Sequence, residues 1–201
     1  MKKTTHIIKL TVIFSVAILL YACNPIENES TSASLLYVDS ITGTDIEDNE
    51  VNFLESDVAV QSGDSPQFSV TADLVTATLG VSALDPEPIY GTSQYNDVIL
   101  TRYVVTYSRT DGKIAEGVDV PYSFEGSLST QIAVGSTQSL SLIIVREVAK
   151  LEPPLIDLRD GSKETVLTVN AKIDFYGHDL ANRNVKATGY ITIYFANYEN
   201  D

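Results

Sequence analysis

The sequence predicts an all-β domain built as an antiparallel two-sheet sandwich, and three observations carry that expectation. From Leu35 onward, short apolar stretches rich in Val, Ile, Thr and Tyr recur between turn-forming clusters. No segment sustains a helical period between capping residues. The last two stretches alternate apolar and polar residues strictly, the mark of strands with one buried face and one wet face. Seven to nine half-buried strands fit two packed sheets better than one open sheet, with a small closed barrel as the alternative.

Taken in order, the expected strands are Leu35–Ile41, Asp57–Val60, Gln67–Ala83, Val98–Ser108, Val118–Glu125, Ser127–Val134, Ser139–Val148, Thr165–Tyr176 and Val185–Tyr198. Gln67–Ala83 is long enough to bend or bulge. Pro86, Pro88, Pro153 and Pro154 fall where strands must stop, since proline cannot donate to a ladder. Asp111-Gly112 is a turn signal, suited to a tight hairpin or a sharp corner. In Thr165–Tyr176, Leu167, Val169, Ala171, Ile173 and Phe175 share the core face, while Thr168, Asn170, Lys172 and Asp174 face water. Val185, Ala187, Ile191, Ile193 and Phe195 repeat the pattern. The two strands should form an antiparallel hairpin through the polar connection Gly177–Asn184.

The strand number and spacing resemble immunoglobulin-like and fibronectin-type domains in architecture alone, because tryptophan is absent and the single cysteine cannot form a disulfide. A membrane-spanning barrel is disfavoured: Lys172, Asp174 and Lys186 occupy outward positions where lipid would demand apolar groups.

The N-terminus carries a different signal. Lys2 and Lys3 precede an apolar run from Leu10 to Ala22, the right length for the core of an export signal and short of the ~20 residues of a spanning helix. Leu19-Leu20-Tyr21-Ala22-Cys23 resembles the lipobox of bacterial lipoproteins. That resemblance implies cleavage after residue 22 and a thioether-linked lipid on Cys23, so the protein would be exported and membrane-anchored. Asn24, in place of an aspartate, implies the outer membrane. Residues 23–34 then form the lipidated cysteine and a polar tether, and residues 35–201 one β-sandwich domain. Cleavage removes Lys2, Lys3 and Lys9 and leaves ten basic against 27 acidic residues, a charge of −17. Nucleic acid and anionic headgroups are poor partners for such a surface.

Chemistry-bearing constellations are sparse. Histidine occurs only at His6, within the signal, and at His178, too few for a Ser-His-Asp triad or a multi-histidine metal site. His178-Asp179 reads as a loop histidine beside a turn-capping aspartate. Asp85 and Glu87, between prolines, read as a stiff loop rather than a glycosidase pair. The sequence therefore predicts no enzyme. Asp45, Glu47, Asp48 and Glu50, with Asn49 between them, concentrate oxygen donors of the kind calcium prefers, without matching a known loop motif. Tyr190, Tyr194 and Tyr198 fall on the outward side of the last strand, and Tyr176 ends its partner. Tyrosine joins a flat apolar face to a polar tip, the combination favoured at interfaces and under sugar rings. The expected function is a lipid-anchored envelope or cell-surface binding module for a protein or glycan partner. The alternative is a structural or assembly accessory of an envelope complex.

Overall fold

Alternating branched apolar and polar residues build nearly everything in the computed structural model, which describes residues 32–61, 68–85, 87, 89, 91–159 and 166–198. The signal segment 1–22, Cys23, the tether up to residue 31, Pro86 and Pro88 lie outside the described residues. In chain order the strands are β1 (Ser34–Thr44), β2 (Glu50–Val51), β3 (Phe53–Asp57), β4 (Val60–Gln61), β5 (Phe68–Ser69), β6 (Asp73–Ala83), β7 (Val98–Arg109), β8 (Phe124–Ile132), β9 (Thr137–Val145), β10 (Val166–Asp179) and β11 (Asn184–Ala196). A 3-10 turn (Gln94–Asn96) precedes β7, and two short helices, α1 (Glu147–Lys150) and α2 (Leu155–Arg159), link β9 to β10. No helix among the described residues is long and apolar enough to cross a membrane.

The protein is all-β with two principal sheets. One has the order β2-β1-β6-β9, the other β3-β11-β10-β7-β8, and β4-β5 is a small separate ribbon. Both main sheets are open in strand order, so they do not close into one barrel. The β10-β11 hairpin runs in register from Val166 opposite Ala196 to His178 opposite Asn184, as the alternation predicts. Leu167, Val169, Ala171, Ile173 and Phe175 of β10 are buried, as are Val185, Ala187, Ile191, Ile193 and Phe195 of β11. They share one core with Leu36, Val75, Leu79 and Val81 of the facing sheet. Two tyrosine hydroxyls of β7 tie the sheets together: Tyr103 donates to the Ile143 carbonyl at 3.1 Å, and Tyr107 to that of Ile144.

Several elements differ from expectation, each for a physical reason. The sheets are not wholly antiparallel, because β3 lies parallel to β11. Only Asn52 separates β2 from β3, so the chain crosses between sheets without a hairpin reversal. Ser56 occupies an inward position of β3 and is fully buried, which disguised the alternation and displaced the expected strand from 53–57 to Asp57–Val60. Val118–Ser123 is a loop, not a strand: Gly117 has φ +72°, and three successive N–H groups, from Val118 to Val120, donate to the Ala115 carbonyl. Gly126 does not divide two strands; β8 runs through it, because the Tyr103 ring occupies the space a Cβ would fill. The strand expected to reach Val148 stops at Val145 and gives way to α1. Gln67–Ala83 is split, with β6 beginning only at Asp73. The Gly177–Asn184 connection shrinks to a turn at residues 180–183, since β10 continues to Asp179 through a bulge at Gly177.

The start of the domain also shifts. Ser32 and Ser34, assigned to the tether, are buried, and the Ser32 hydroxyl donates to Asp179 at 2.8 Å.

Candidate functional site

The outward face of the five-stranded sheet is assembled by strand register. Lys172 of β10 stands beside Tyr190 of β11 on one side and Thr106 of β7 on the other. One step along, Asn170 lies between Thr192 and Ser108; in the other direction, Asp174 lies between Thr188 and Val104, and Tyr176 between Lys186 and Arg102. Above this floor an open cleft of about 640 Å³ is walled on one side by Tyr190 and on the other by Ile114 and Glu116.

The second wall belongs to the β7-β8 connection, which is held by its own polar groups. After the Asp111-Gly112 turn, Arg109 donates its N–H to Lys113 and accepts from that of Gly112, whose φ of +86° suits glycine. The expected turn is therefore present, but it opens a long excursion instead of a tight hairpin. Asp119 accepts the Ala115 N–H at 3.3 Å, and the Glu116 carboxylate accepts the Ser123 N–H at 3.0 Å. The hydrogen bonding from Ser123 also holds the Glu116 carboxyl below its ordinary pKa. Ile114 remains 67% exposed at the rim.

Charges organise the neighbouring part of the face. Asp174, expected on the wet side, has a side chain only 9% exposed beneath Lys172 and Lys186, which reach it at 2.9 and 3.1 Å. Burial opposes its charge, but hydrogen bonds from Thr188, Lys172 and Lys186 outweigh that cost and lower its pKa to about 2. Tyr176 is covered by cations: the Arg102 guanidinium stands 4.0 Å from the ring centroid and the Lys186 ammonium 5.1 Å. Arg102 continues the chain of charges to Glu125 at 2.8 Å.

The four tyrosines singled out by the sequence thus have different fates. Tyr190 is 66% exposed and borders the cleft. Tyr194 packs edge-on against Phe53 of β3, with ring centroids 5.6 Å apart. Tyr198 donates its hydroxyl to the Tyr194 carbonyl at 3.3 Å; burial, with Glu55 and Asp57 nearby, raises its pKa to about 12. Tyr176 lies under Arg102 and Lys186. The structure therefore presents one open aromatic wall rather than a continuous stripe.

In the acidic loop, Asp45 turns inward on its own backbone, accepting N–H groups of Glu47 and Asn49 and the Asn49 amide. Glu50 accepts from the Thr42 hydroxyl, and Asp48 adopts φ +62° in the turn. Among the described residues no three His, Cys, Asp or Glu side chains are grouped to hold a metal. Asp85 accepts the Glu87 N–H as a turn cap. Asp179 is spent on Ser32 and on the N–H groups of Ala181 and Arg183, while His178 Nδ1 meets the Asp179 carbonyl at 3.0 Å.

Sequence reasoning missed the cleft's floor and second wall. Thr106, Ser108, Ile114 and Glu116 lie far from Tyr190 along the chain, and only the pairing of β7 with β10 brings them together. It also missed Lys150, whose ammonium is buried against Asp73 at 2.8 Å and the Asp57 carbonyl at 2.7 Å. Comparison with protein-family models finds no match for the chain, and comparison with curated proteins finds none either.

Proposed function

We propose that this protein is a non-enzymatic, lipid-anchored envelope or cell-surface binding module that recognises its partner through the outward face of the β3-β11-β10-β7-β8 sheet. The observation that carries this reading is the cleft beneath Tyr190, an exposed aromatic wall over a floor fixed by strand pairing. A sheet face is rigid, so the side chains on it are held in place before a partner arrives. The anchor rests on the lipobox at Leu19–Cys23, and the non-enzymatic reading on the scarcity of histidine and of nucleophile-base pairs in the sequence.

The fold is proposed to be immunoglobulin-like. The orders β1-β6-β9 and β11-β10-β7-β8 correspond to strands A-B-E and G-F-C-C′ of a variable-type domain, which supports the assignment. The hallmark cysteines and tryptophan are missing, so the likeness is topological.

The test is capture from envelope extract by the full chain held in non-ionic detergent, beside Tyr190→Ser. Specific capture of a protein or polysaccharide that disappears with Tyr190→Ser is the expected result. Capture that survives the substitution rejects this face as the recognition surface.

A second reading, a self-associating assembly accessory, draws on one observation. The edge strand β9, Thr137–Val145, contains no charged residue, although exposed edges are usually guarded by charge or proline.

A further inference from the structure

Resting on the reading of the outer sheet face as a recognition surface, we infer that the Tyr190 cleft binds a neutral carbohydrate, with one or two pyranose rings seated between Tyr190 and Ile114. Four features of the cleft select that class of ligand.

Size comes first. About 640 Å³ falls within the range of small-ligand sites. The walls come second. Tyr190 and Ile114 are 66% and 67% exposed, so their apolar surfaces are open to a ligand. A tyrosine ring offers an apolar plane to the C–H face of a sugar and keeps its hydroxyl in water.

The floor is the third feature. Thr106, Ser108 and Asn170 present groups that both donate and accept, as sugar hydroxyls do. The Asn170 carbonyl oxygen is occupied by the Thr192 hydroxyl at 3.1 Å, which fixes the amide orientation. Its N–H2 group and the Thr106 and Ser108 hydroxyls have no partner among the described residues, so they are available to a ligand.

Charge decides the last point. Among the described residues that line the cleft the one cation, Lys172, is bound to Asp174, and the opposite wall carries the Glu116 carboxylate. With a formal charge of −14 on the whole chain, a polyanionic glycan would approach against repulsion and find no uncommitted cation among the described lining residues. A neutral glycan pays no such penalty.

The test is native affinity electrophoresis of the full chain through gels containing soluble β-glucan, arabinoxylan or galactomannan, with polygalacturonate as the anionic comparison. A polyoxyethylene detergent is used, since glycoside detergents would compete for the cleft. The expected result is retardation by at least one neutral polysaccharide. Tyr190→Ala should raise Kd at least tenfold and Asn170→Ala several-fold, while Tyr190→Phe keeps the stacking surface and binds near the parent. Tyr95→Ala, at an equally exposed tyrosine in the 3-10 turn, should leave retardation unchanged. Circular dichroism melting of each variant separates lost binding from lost fold. Retardation by polygalacturonate alone, by no polysaccharide, or equally in Tyr190→Ala overturns the inference. If the chain instead captures an envelope protein in a Tyr190-dependent manner, the recognition surface stands and its carbohydrate ligand is rejected.

Discussion

The Lys150 ammonium, its side chain 1% exposed, donates to Asp73 and to the Asp57 carbonyl, while the Ser56 hydroxyl closes on the other Asp73 oxygen at 2.6 Å. Burial raises the pKa of Asp73, and the attraction of Lys150 opposes that rise. Removing one member of such a pair strands the other, which typically costs about 3–5 kcal/mol. Lys150→Met should lower stability by that amount in urea denaturation, and Asp73→Asn added to it should recover part of the loss. A double variant no more stable than Lys150→Met would show that the stranded carboxylate is not the source of the cost. Asp174 supplies a pH signature instead. Its folded pKa, about 2, lies below the ordinary value of 3.8, so the unfolded chain binds the proton first as pH falls. The contribution is complete above pH 3.8 and disappears as pH drops toward 2. Full linkage would give about 2.4 kcal/mol at 1.36 kcal/mol per unit. Since Lys172 and Lys186 are 41% and 47% exposed, screening reduces the expectation to about 1 kcal/mol. Asp174→Asn should flatten the stability profile over that window.

Among the elements, β10 and β11 were the most legible, because from Leu167 to Phe175 and from Ile191 to Phe195 every second residue is apolar and buried, whereas the run of β10 past Tyr176 to Asp179 was not. Elements that depend on a partner's shape were not. Gly126 and Gly177 look like breaks in a strand pattern, yet both permit close approach: a Cβ at Gly126 would sit 2.2 Å from the Tyr103 ring, and one at Gly177 would sit 2.3 Å from the Ile99 carbonyl oxygen. The two cases predict different costs. The neighbour at Gly177 is backbone, fixed by the β7-β10 ladder, so Gly177→Ala should destabilise by about 2 kcal/mol or more in chemical denaturation. Gly126→Ala meets a side chain and should cost less. The reverse order would mean that the β10 bulge yields more readily than Tyr103. Helix α1 was hidden for a related reason: its buried residues are Ala149 and Lys150, and a lysine does not register as core without sight of Asp73. The candidate site was half legible. Tyr190 could be read as outward from alternation alone, but its cleft exists through pairing between strands some sixty residues apart.

At the scale of the whole molecule, the formal charge of −14 and the neutral β9 edge act against each other. The outer face beside that edge also exposes Leu74 and Ile143, which stand opposite one another across the β6-β9 ladder. Edge-to-edge pairing of two copies would extend the four-stranded sheet and set a strand of the second copy beside Ile143, while the charges of the two domains repel. That repulsion reaches about 10 Å at 0.1 M salt and only about 3 Å at 1 M. Salt should therefore favour association if the edge is self-complementary. Light scattering of the detergent-solubilised chain should then report one copy per particle at low salt and two at 1 M NaCl. Ser141→Lys, which puts a charge on the exposed side of β9, should hold it at one copy throughout. A parent chain that stays single at 1 M salt rejects edge pairing and the assembly reading built on it.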